Sequence, residues 1–356
     1  MAAGARRATL NHVLKRLDLQ DAGWNAFVAE QPQAVPFHHP VWARLLAACY
    51  RYDAFALADV DASGKVRAGL PVVEISGAMR RRRWVSLPFT DACAPLGDAN
   101  AREAFVADLD GFRVRSGVSA LELRFDVAAR GAFAAEVGTI HRLDLTPGLD
   151  AVHKAFSKSR VRPEIRRAER EGVTIREADR ESDLTHTYYR LHVATRRRQG
   201  VPVQTRRFFE LLWRRLLAAG LGFALIAELD GQPVAGAIFL AWNGSVVYKY
   251  AASDEEYRWA RPNHLVLWEA IRRSCGSGAH TLDFGRSDAG NIGLQKFKSG
   301  WGAIEEPLAY STFADEAPAR RAQTSRRLQH LLEKTIRRSP PWVCRAIGAT
   351  AYRYVA

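Results

Sequence analysis

The sequence predicts a mixed α+β protein in which two similar halves, residues 1–146 and 147–315, are followed by a basic helical tail, residues 316–356. Three observations predict this organisation. Apolar runs with strand character alternate with amphipathic segments. The alternation starts again after the turn T-P-G-L-D at 146–150. The tail falls outside the alternation and carries nine Lys or Arg residues against two Glu.

The length and composition indicate about two domains of ordinary size, each with a packed core. The chain has 356 residues, of which 47% are hydrophobic, and a formal net charge of +14. This charge favours an anionic partner, which is a nucleic acid, a membrane surface or a phosphorylated small molecule. A GC-rich genome also produces arginine-rich proteins, so the charge alone does not choose among these partners.

The four cysteines lie far apart, without C-x-x-C spacing and without histidines at metal-ligand spacing. This pattern predicts free thiols in a reducing compartment and no metal site. The N-terminus lacks the apolar region of a signal peptide. The most apolar run, residues 216–229, is too short to span a membrane. We therefore expect a cytoplasmic protein, with the inner face of the membrane as an alternative location.

Residues 1–146 contain the weaker of the two patterns. An apolar strand-like piece at 13–17 and an amphipathic segment at 24–28 come first. Pro40 then suits the start of a helix whose apolar stripe includes Trp42. The elements expected after this helix are strands at 54–60 and 66–75, an arginine-rich hairpin tip at 79–83, a helix around 103–109, and strands at 120–125 and 142–145.

Residues 147–315 show the clearer pattern. Pro163 predicts the start of a helix that ends at Gly172. The D-G dipeptide at 230–231, between two apolar runs, is a strong hairpin signal. The other expected elements are strands at 173–177, 246–252 and 281–284 and helices at 181–198, 205–219 and 264–273. Helices, three antiparallel strands, a helix and a further strand follow one another in the order of a GNAT acyltransferase domain, and the first half is interpreted as a second copy.

The stretch 281–302 concentrates residues suited to chemistry. A short strand ends at a glycine and gives way to a polar loop, where α/β folds often carry functional side chains. Asp283 and Arg286 lie at the strand end, and Phe297 and Lys298 follow the loop. As a hypothesis, Asp283 orients or deprotonates an acceptor amine, and Arg286 holds this carboxylate or an acidic substrate group. The alternative is a surface ion pair of Asp283 with Arg286 and a solvated Lys298.

Arg160 stands with Lys158 and Arg162 ahead of the helix predicted at 163–172. Free amides and the helix dipole favour an anion at such a position. Arg160 is therefore a candidate substrate-binding residue. A solvated helix face is the alternative.

The chain resembles the FemAB-type acyltransferases, which are tandem GNAT proteins related to the peptidoglycan-bridge aminoacyl transferases. It is most similar to the branch associated with exosortase and exopolysaccharide systems. The motifs that carry the resemblance cover most of residues 36–310, and they are P-F-H-H-P-V-W, W-V-S-L-P-F, K-S-R-V-R-P-E-I-R-R-A-E-R-E-G-V, T-R-R-R-Q-G-V-P-V, R-P-N-H-L-V-L-W-E-A-I, D-F-G-R-S and F-K-S-G-W-G.

The resemblance implies transfer of an acyl or aminoacyl group onto an amine, in a cleft of the second GNAT domain that the first domain covers. An F-K pair implicated in the reaction of alanyl-transferring relatives falls on Phe297 and Lys298. A lysine there would stabilise an oxyanion or an anionic leaving group. A substrate-proximal aspartate of the first-domain loop matches Asp98. A basic residue two positions after a tryptophan, which contacts a nucleotide-linked substrate, matches Arg44 in charge.

One turn departs from the acetyl-CoA-using GNAT domains, which cradle the pyrophosphate with glycine-rich backbone amides. The corresponding turn, residues 258–263, has no glycine and loses one amide to Pro262. This weakens the assignment of acetyl-CoA as the donor and leaves room for aminoacyl-tRNA, whose phosphates suit the basic surface. Acyl-CoA stays an alternative donor because the side chains of Arg258 and Arg261 could replace the amides. Neither donor is expected as a permanently bound cofactor.

The predicted function is an N-acyltransferase acting on a cell-envelope or exopolysaccharide precursor. One alternative is an acyl-CoA-dependent N-acetyltransferase acting on a small amine, and another is a non-catalytic tandem-GNAT scaffold that binds anionic surfaces. The tail contains an apolar helix stripe near several aromatic residues, which suits docking on an anionic membrane. A helix that packs on the second domain with its basic face in water is the alternative. The stripe consists of Leu328, Leu331, Leu332 and Ile336.

Overall fold

A computed structural model describes residues 12–76, 81–315 and 333–351 of the chain. The described strands form one continuous mixed sheet. The strands of the first half are β1 (His12–Asp18), β2 (Asp53–Asp61), β3 (Val66–Ser76), β4 (Arg82–Val85), β5 (Leu96–Gly97), β6 (Ala120–Leu123) and β7 (Ala132–Asp144). Those of the second half are β8 (Thr174–Glu177), β9 (Gly222–Leu229), β10 (Gln232–Trp242), β11 (Ser245–Ser253), β12 (Thr281–Ser287) and β13 (Ile304–Ala314).

Helices cover the sheet and pack between the two halves. They are α1 (Ala22–Glu30), α2 (Pro40–Tyr50), α3 (Ala99–Arg115), α4 (Leu149–Ala155), α5 (Arg162–Arg170), α6 (Tyr189–Gln199), α7 (Arg206–Arg215), α8 (Pro262–Gly276), α9 (Ile292–Ser299), α10 (helical residues 333–338) and α11 (Pro341–Ala351). A π-helical turn, Asp183–Tyr188, leads directly into α6, and short 3₁₀ turns lie at Leu217–Ala219 and Arg258–Ala260.

Local sequence signals explain several of these boundaries. Helix α2 begins at Pro40 as predicted, and the preceding His39 side chain accepts a hydrogen bond from the backbone N–H of Val41. The hairpin of β9 and β10 turns at Asp230 and Gly231, which have φ angles of 51° and 73°. Two successive left-handed residues are what a two-residue hairpin turn needs, so this predicted hairpin is confirmed.

The strand order shows that the two halves exchange their last strands. The order across the sheet is β1-β2-β3-β4-β6-β13-β7-β12-β11-β10-β9-β8, with β5 beside β3. From one edge, the antiparallel strands β1 to β4 are followed by β6 and then by β13, the last strand of the second half. From the other edge, the antiparallel strands β8 to β11 are followed by β12 and then by β7, the last strand of the first half. The parallel pairs β4–β6 and β11–β12 hold equivalent places on the two sides.

The registers show how extensive this exchange is. Strand β7 of the first half pairs with β12, placing Asp144 opposite Thr281 and Arg142 opposite Asp283. Strand β13 of the second half pairs with β6 and, along ten residue pairs, with β7. The turn at 146–150 therefore separates two series of elements in the chain, while hydrogen bonds cross between the halves on both sides of the central pair.

The hydrophobic core has one cluster in each half and a third that joins the two halves. Helix α3 covers the first half of the sheet through Phe105 and Leu109, and α8 covers the second half through Leu267 and Ile271. A third cluster joins the halves, because α2 of the first half packs against α7 of the second. Its centre is the contact between the rings of Trp42 and Phe208, whose centroids lie 6.3 Å apart.

The described part of the tail packs on the second half. Ile336 and Cys344 are fully buried in the cluster that joins the halves. The Arg197 guanidinium donates a hydrogen bond of 2.8 Å to the Ser339 carbonyl. Leu328, Leu331 and Leu332 of the predicted apolar stripe lie outside the described residues. Within the described ranges, no helix combines the length and the apolar composition needed to cross a bilayer.

Candidate active site

A cleft opens where two parallel strands of the second half separate. Strands β11 and β12 pair only over Ser245–Val247 and Thr281–Asp283, although both continue beyond these residues. The space between them forms a cleft of about 520 Å³. Both halves of the chain supply its walls. The charged residues that line it are Asp91 and Arg124 of the first half and Arg196, Lys249 and Arg286 of the second.

The floor of the cleft is a kink in β12. The pairing of β12 with β7 shifts register between Asp283 and Arg286. Gly285, within the kink, has a φ of 71°, a left-handed conformation that favours glycine. A Cβ atom at this position would lie only 2.9 Å from the Asp91 Oδ2 atom. Glycine is therefore needed twice here, for the backbone conformation and for the close approach of a carboxylate from the first half.

Asp91 reaches this position from a strained loop after β4. Leu87 and Phe89 both adopt left-handed conformations, with φ angles of 61° and 59°. Non-glycine residues in this region cost roughly 1–3 kcal/mol each and cluster at functional sites. The Tyr310 hydroxyl donates a 2.7 Å hydrogen bond to the Asp91 carbonyl, which fixes the end of the loop against β13.

Lys249 meets the Asp91 carboxylate from the opposite wall. It is the extra residue of a β-bulge, because β11 pairs with β10 through Tyr248 and Tyr250 but not through Lys249. Its Nζ atom lies 3.6 Å from Asp91 Oδ2, and its side chain is only 6% exposed. Burial lowers the pKa of Lys249, and the nearby Asp91 carboxylate opposes this shift. The bulge thus aims a buried ammonium at the carboxylate that approaches Gly285.

Lys298 lies beneath the cleft and holds its floor. Its buried ammonium donates hydrogen bonds of 2.7 Å to the Gly285 carbonyl and 3.0 Å to the Arg286 carbonyl. Burial lowers its pKa to about 8, opposed by the charges of Asp91 and Asp283. Lys298 therefore stays largely protonated at neutral pH, and it fixes the backbone of the kink while not lining the cleft itself.

The ring of Phe297, the other member of the predicted F-K pair, packs against neighbouring aromatic rings. Its ring centroid lies 5.3 Å from that of His264 at the start of α8 and 6.1 Å from that of Trp301. These contacts hold α9 against α8. The position of Lys298 under the cleft depends on this attachment.

Asp283 and Arg286 have different partners from those predicted. Asp283 accepts a 2.7 Å hydrogen bond from the Gly285 N–H and lies 3.7 Å from the Arg142 guanidinium. Arg286 lines the cleft and pairs with Asp288 at 3.0 Å. The two candidates are thus close in the fold, but Asp283 supports the kink from below and Arg286 faces the cleft. Burial raises the pKa of Asp283 to about 6, and Arg142 opposes this shift.

The raised pKa of Asp283 predicts that the free energy of unfolding depends on pH. Between its ordinary value of 3.8 and about 6, the folded protein binds more protons at Asp283 than the unfolded chain does, so the free energy of unfolding falls as pH rises. Asp283→Asn removes this titration and keeps an oxygen for the Gly285 N–H. Its free energy of unfolding relative to wild type is expected to rise by about 2–3 kcal/mol between pH 4 and pH 7. Urea unfolding at several pH values measures this change, and a difference independent of pH would contradict the prediction.

Two candidates of the first half lie outside the cleft lining. Asp98 is exposed and caps α3, since its side chain accepts a 2.9 Å hydrogen bond from the Ala101 N–H. Arg44 is exposed on α2, where its carbonyl accepts a hydrogen bond from Arg215. Their predicted contacts with substrate stay predictions.

Three arginine candidates of the second half lie on the surface around α5 and α8. Arg160 is exposed next to the Lys296 carbonyl at 3.5 Å. The Arg258 guanidinium is 75% exposed. Arg261 has a φ of 58° and binds Glu164 through its Nε atom at 2.6 Å. None of the three lines the cleft.

The turn at 258–264 corresponds to the one that binds the pyrophosphate in acetyl-CoA-using GNAT domains. Most of its backbone N–H groups are already hydrogen-bonded within the turn. The N–H groups of Arg258, Ala260, Arg261 and His264 all donate to carbonyls of the turn, at 3.0–3.2 Å. Pro262 has no N–H to offer. In addition, the Arg261 guanidinium is already paired with the Glu164 carboxylate. The residues present therefore fit a CoA pyrophosphate poorly. Among the described residues, no group of three or more His, Cys, Asp or Glu side chains is placed to hold a metal ion.

The cleft is electropositive. Four cationic side chains and one carboxylate line it. Arg124 also pairs with Glu122 at 3.0 Å, and Lys249 is opposed by Asp91. The remaining excess of positive charge suits a ligand that carries phosphate or carboxylate groups.

Sequence comparisons relate the second half to acetyltransferases. Residues 155–299 match the family described as "Acetyltransferase (GNAT) domain". A lipid II:glycine glycyltransferase of Staphylococcus epidermidis is 30% identical over 115 residues, which are 30% of this chain and 26% of the relative. The chain thus matches about a quarter of the length of this curated relative.

Structural comparisons extend the likeness to almost the whole chain. A crystal structure of FemX superimposes with a TM-score of 0.68 at 16% identity, over 90% of this chain and 100% of that one. A tandem GNAT protein from the clavulanic acid biosynthesis pathway superimposes with a TM-score of 0.51 at 11% identity, over 86% and 99% of the two chains. These findings confirm the predicted mixed α+β fold of two GNAT units. Together with the sequence matches, they confirm the predicted resemblance to FemAB-type acyltransferases.

Proposed function

We propose that this protein is an N-acyltransferase that moves an aminoacyl group from aminoacyl-tRNA onto an amine of a cell-envelope or exopolysaccharide precursor. The observation that carries the proposal is the meeting of Asp91, Lys249 and Gly285 in the cleft between β11 and β12. A carboxylate, a buried ammonium and the backbone of the β12 kink converge there from both halves. The likeness to a lipid II:glycine glycyltransferase supports this class of reaction.

The chemical step is the attack of an amine on an ester carbonyl. Asp91 is the general base in this proposal, because it is the carboxylate that lines the cleft. The acceptor reacts as the neutral amine, whose nitrogen forms the new C–N bond with the ester carbonyl carbon and gives one proton to Asp91. The C–O bond to the tRNA ribose breaks, and the ribose oxygen leaves with the proton that Asp91 returns.

The two lysines have distinct parts in this step. Lys249 pairs with Asp91 and fixes its orientation, since its ammonium lies 3.6 Å from the carboxylate. Lys298 is a positioning residue that holds the carbonyls of Gly285 and Arg286. Its charge beneath the cleft also favours the oxyanion of the tetrahedral intermediate, as the sequence led us to expect.

The donor is proposed from charge and from the turn at 258–264. Arg124, Arg196 and Arg286 offer charge-assisted hydrogen bonds to phosphates or to an acidic acceptor. The turn offers few free amides to a CoA pyrophosphate. The basic surface of the chain, at a net charge of +14, suits the many phosphates of a tRNA. A protein that uses charged tRNA acts in the cytoplasm and has access to the inner face of the membrane.

One experiment separates the two donors. Calorimetric titration with CoA and acetyl-CoA is run beside filter binding to aminoacylated and uncharged tRNA at several salt concentrations. We expect selective retention of aminoacylated tRNA that weakens steeply with salt, and no CoA binding at micromolar concentrations. Arg286→Gln should reduce the retention, while Arg258→Gln, at an exposed turn position outside the cleft, should not.

Two other outcomes would replace the proposal. Micromolar CoA binding that Arg258→Gln weakens would mean that side chains replace the missing amides, and the acyl-CoA-dependent transfer to a small amine would then be favoured. Absence of binding to either donor would favour the non-catalytic scaffold.

A further inference from the structure

The corner between α10 and α11 is an exposed apolar projection. Pro340, Pro341 and Trp342 form it, and all three are exposed. The Trp342 side chain is 64% exposed, although tryptophan is usually among the most buried residues. The apolar residues that face the other way, Ile336 and Cys344, are buried against the second half. The tail is therefore fixed to the protein by one face and offers the corner to its surroundings.

Exposed cationic side chains lie on both helices of the corner and at the start of the neighbouring helix α7. Lys334 and Arg338 on α10 and Arg345 on α11 are exposed. Arg206 and Arg207, at the start of α7, are exposed as well. These five residues and the three of the corner are called the corner surface below.

Arg206 of α7 and Arg345 of α11 lie close to the same side chain, that of Tyr189. The Arg206 guanidinium carbon is 5.4 Å from the centroid of the Tyr189 ring. Burial raises the pKa of Tyr189, and both Arg345 and Arg206 are close enough to oppose that shift. The acidic residues next to these helices have basic partners of their own, since Glu333 binds Arg337 at 2.7 Å and Glu210 binds Arg214 at 2.9 Å.

We propose that the corner surface docks this protein on an anionic lipid bilayer. Trp342 and the two prolines enter the headgroup region, where the amphipathic indole ring is favoured. The five cations of the corner surface face the anionic headgroups, and a cluster of this size is typical of segments that bind acidic lipids. The mode differs from that of an amphipathic helix lying in the interface, because Ile336 and Cys344 are committed to the protein core.

The apolar projection favours a lipid surface over a nucleic acid. Single-stranded nucleic acids are bound in grooves that combine cations with aromatic stacking platforms. Two prolines and a tryptophan at a convex corner form no groove. A rigid apolar point with cations nearby instead matches the boundary between headgroups and acyl chains.

One segment of the chain, residues 201–204, lies between the tail that carries the corner surface and the cleft. A Cβ atom at Gly348 would collide with the Val203 carbonyl, so α11 lies directly against this segment. Val201 and Gln204 of the same segment line the cleft. Docking would therefore hold the cleft at a fixed distance and orientation from the bilayer.

The test is co-sedimentation of the full chain with vesicles of phosphatidylcholine alone or with about 30% phosphatidylglycerol, at low and at raised salt. Wild type is expected to bind the anionic vesicles only, and less at raised salt. Trp342→Ala and the double variant Arg338→Glu/Arg345→Glu remove the two components of the corner surface. Each cation removed is expected to lower the partition coefficient roughly fivefold.

The matched control is Trp259→Ala/Arg258→Glu. It removes an exposed tryptophan, 48% accessible, and a neighbouring exposed arginine from the turn before α8, neither of which belongs to the corner surface. This control should bind vesicles as wild type does. Unchanged thermal unfolding of all variants shows that the substitutions leave the fold intact.

Three results would overturn the proposal. Wild type would fail to bind anionic vesicles, or the corner variants would bind them as wild type does. In the third, the corner variants would lose tRNA retention and keep vesicle binding, which would make the surface a nucleic-acid site. The vesicle assay needs no donor, so its failure leaves the proposed transferase activity to be judged by the donor experiment alone.

Discussion

Asp91→Asn is expected to lower kcat/KM for amide formation by roughly 10²–10⁴-fold, the usual contribution of a positioned general base. Asparagine has nearly the same shape, so it still fits against Gly285 and beside the Lys249 ammonium. What it loses is the capacity to accept a proton from the acceptor amine. Initial-rate kinetics with the donor identified by the binding experiment measure the change. The free energy of unfolding should change far less than the activity.

The control for this prediction lies in the same connection between β4 and α3. Asp98→Asn makes the same chemical change at the residue that caps α3. Asparagine caps helices as well as aspartate does, so neither stability nor activity should fall measurably. If Asp98→Asn inactivated the protein and Asp91→Asn did not, the cleft aspartate would not be the base, and the prediction from the family resemblance that Asp98 lies near the substrate would be supported.

Residues 147–356, produced alone, are expected not to fold. Without the first half, β13 loses both of its neighbours, β6 and β7, and β12 loses β7. The unpaired edges would be long and would invite aggregation. The contact of Phe208 with Trp42 would also be lost, which would expose core that belongs to both halves. We expect insoluble protein, or soluble protein without a cooperative unfolding transition.

Co-production of residues 1–146 with 147–356 provides the matched control. The chain break then falls in the turn after β7 and removes no strand, so the two fragments should associate and unfold together. Circular dichroism and size-exclusion chromatography distinguish the outcomes. A folded, monomeric fragment 147–356 would show that the second half is an independent domain, and the strand exchange would then be dispensable for its stability.

The elements that sequence alone predicts are those with local signals. Pro40 at the start of α2 and the turn at Asp230 are specified by the residues beside them. Strand β13 was not predicted, because Glu305, Glu306 and Pro307 interrupt its apolar pattern. Its position is set by pairing with β6 and β7, which lie more than a hundred residues away in the chain. No local pattern reports a partner at that separation.

The cleft shows the same limit of local patterns. Arg286 was expected to hold either the Asp283 carboxylate or an acidic substrate group, and in the fold it lines the cleft and pairs with Asp288. Asp91 was missed because it comes from the other half of the chain, although it lies only two residues after the apolar run W-V-S-L-P-F. Lys249 looked like one residue of an alternating strand. Only the bulge turns it toward the cleft.

The exchange of β7 and β13 also limits how the protein can move. Proteins built from two lobes often close on a substrate by rotating one lobe about a hinge. Here the walls of the cleft belong to halves that share the hydrogen-bonded run β6-β13-β7-β12, so such a rotation would have to break backbone ladders at the middle of the sheet. Substrates must enter through rearrangement of side chains and loops within a fixed frame. The geometry of the cleft is therefore preorganised before a ligand binds.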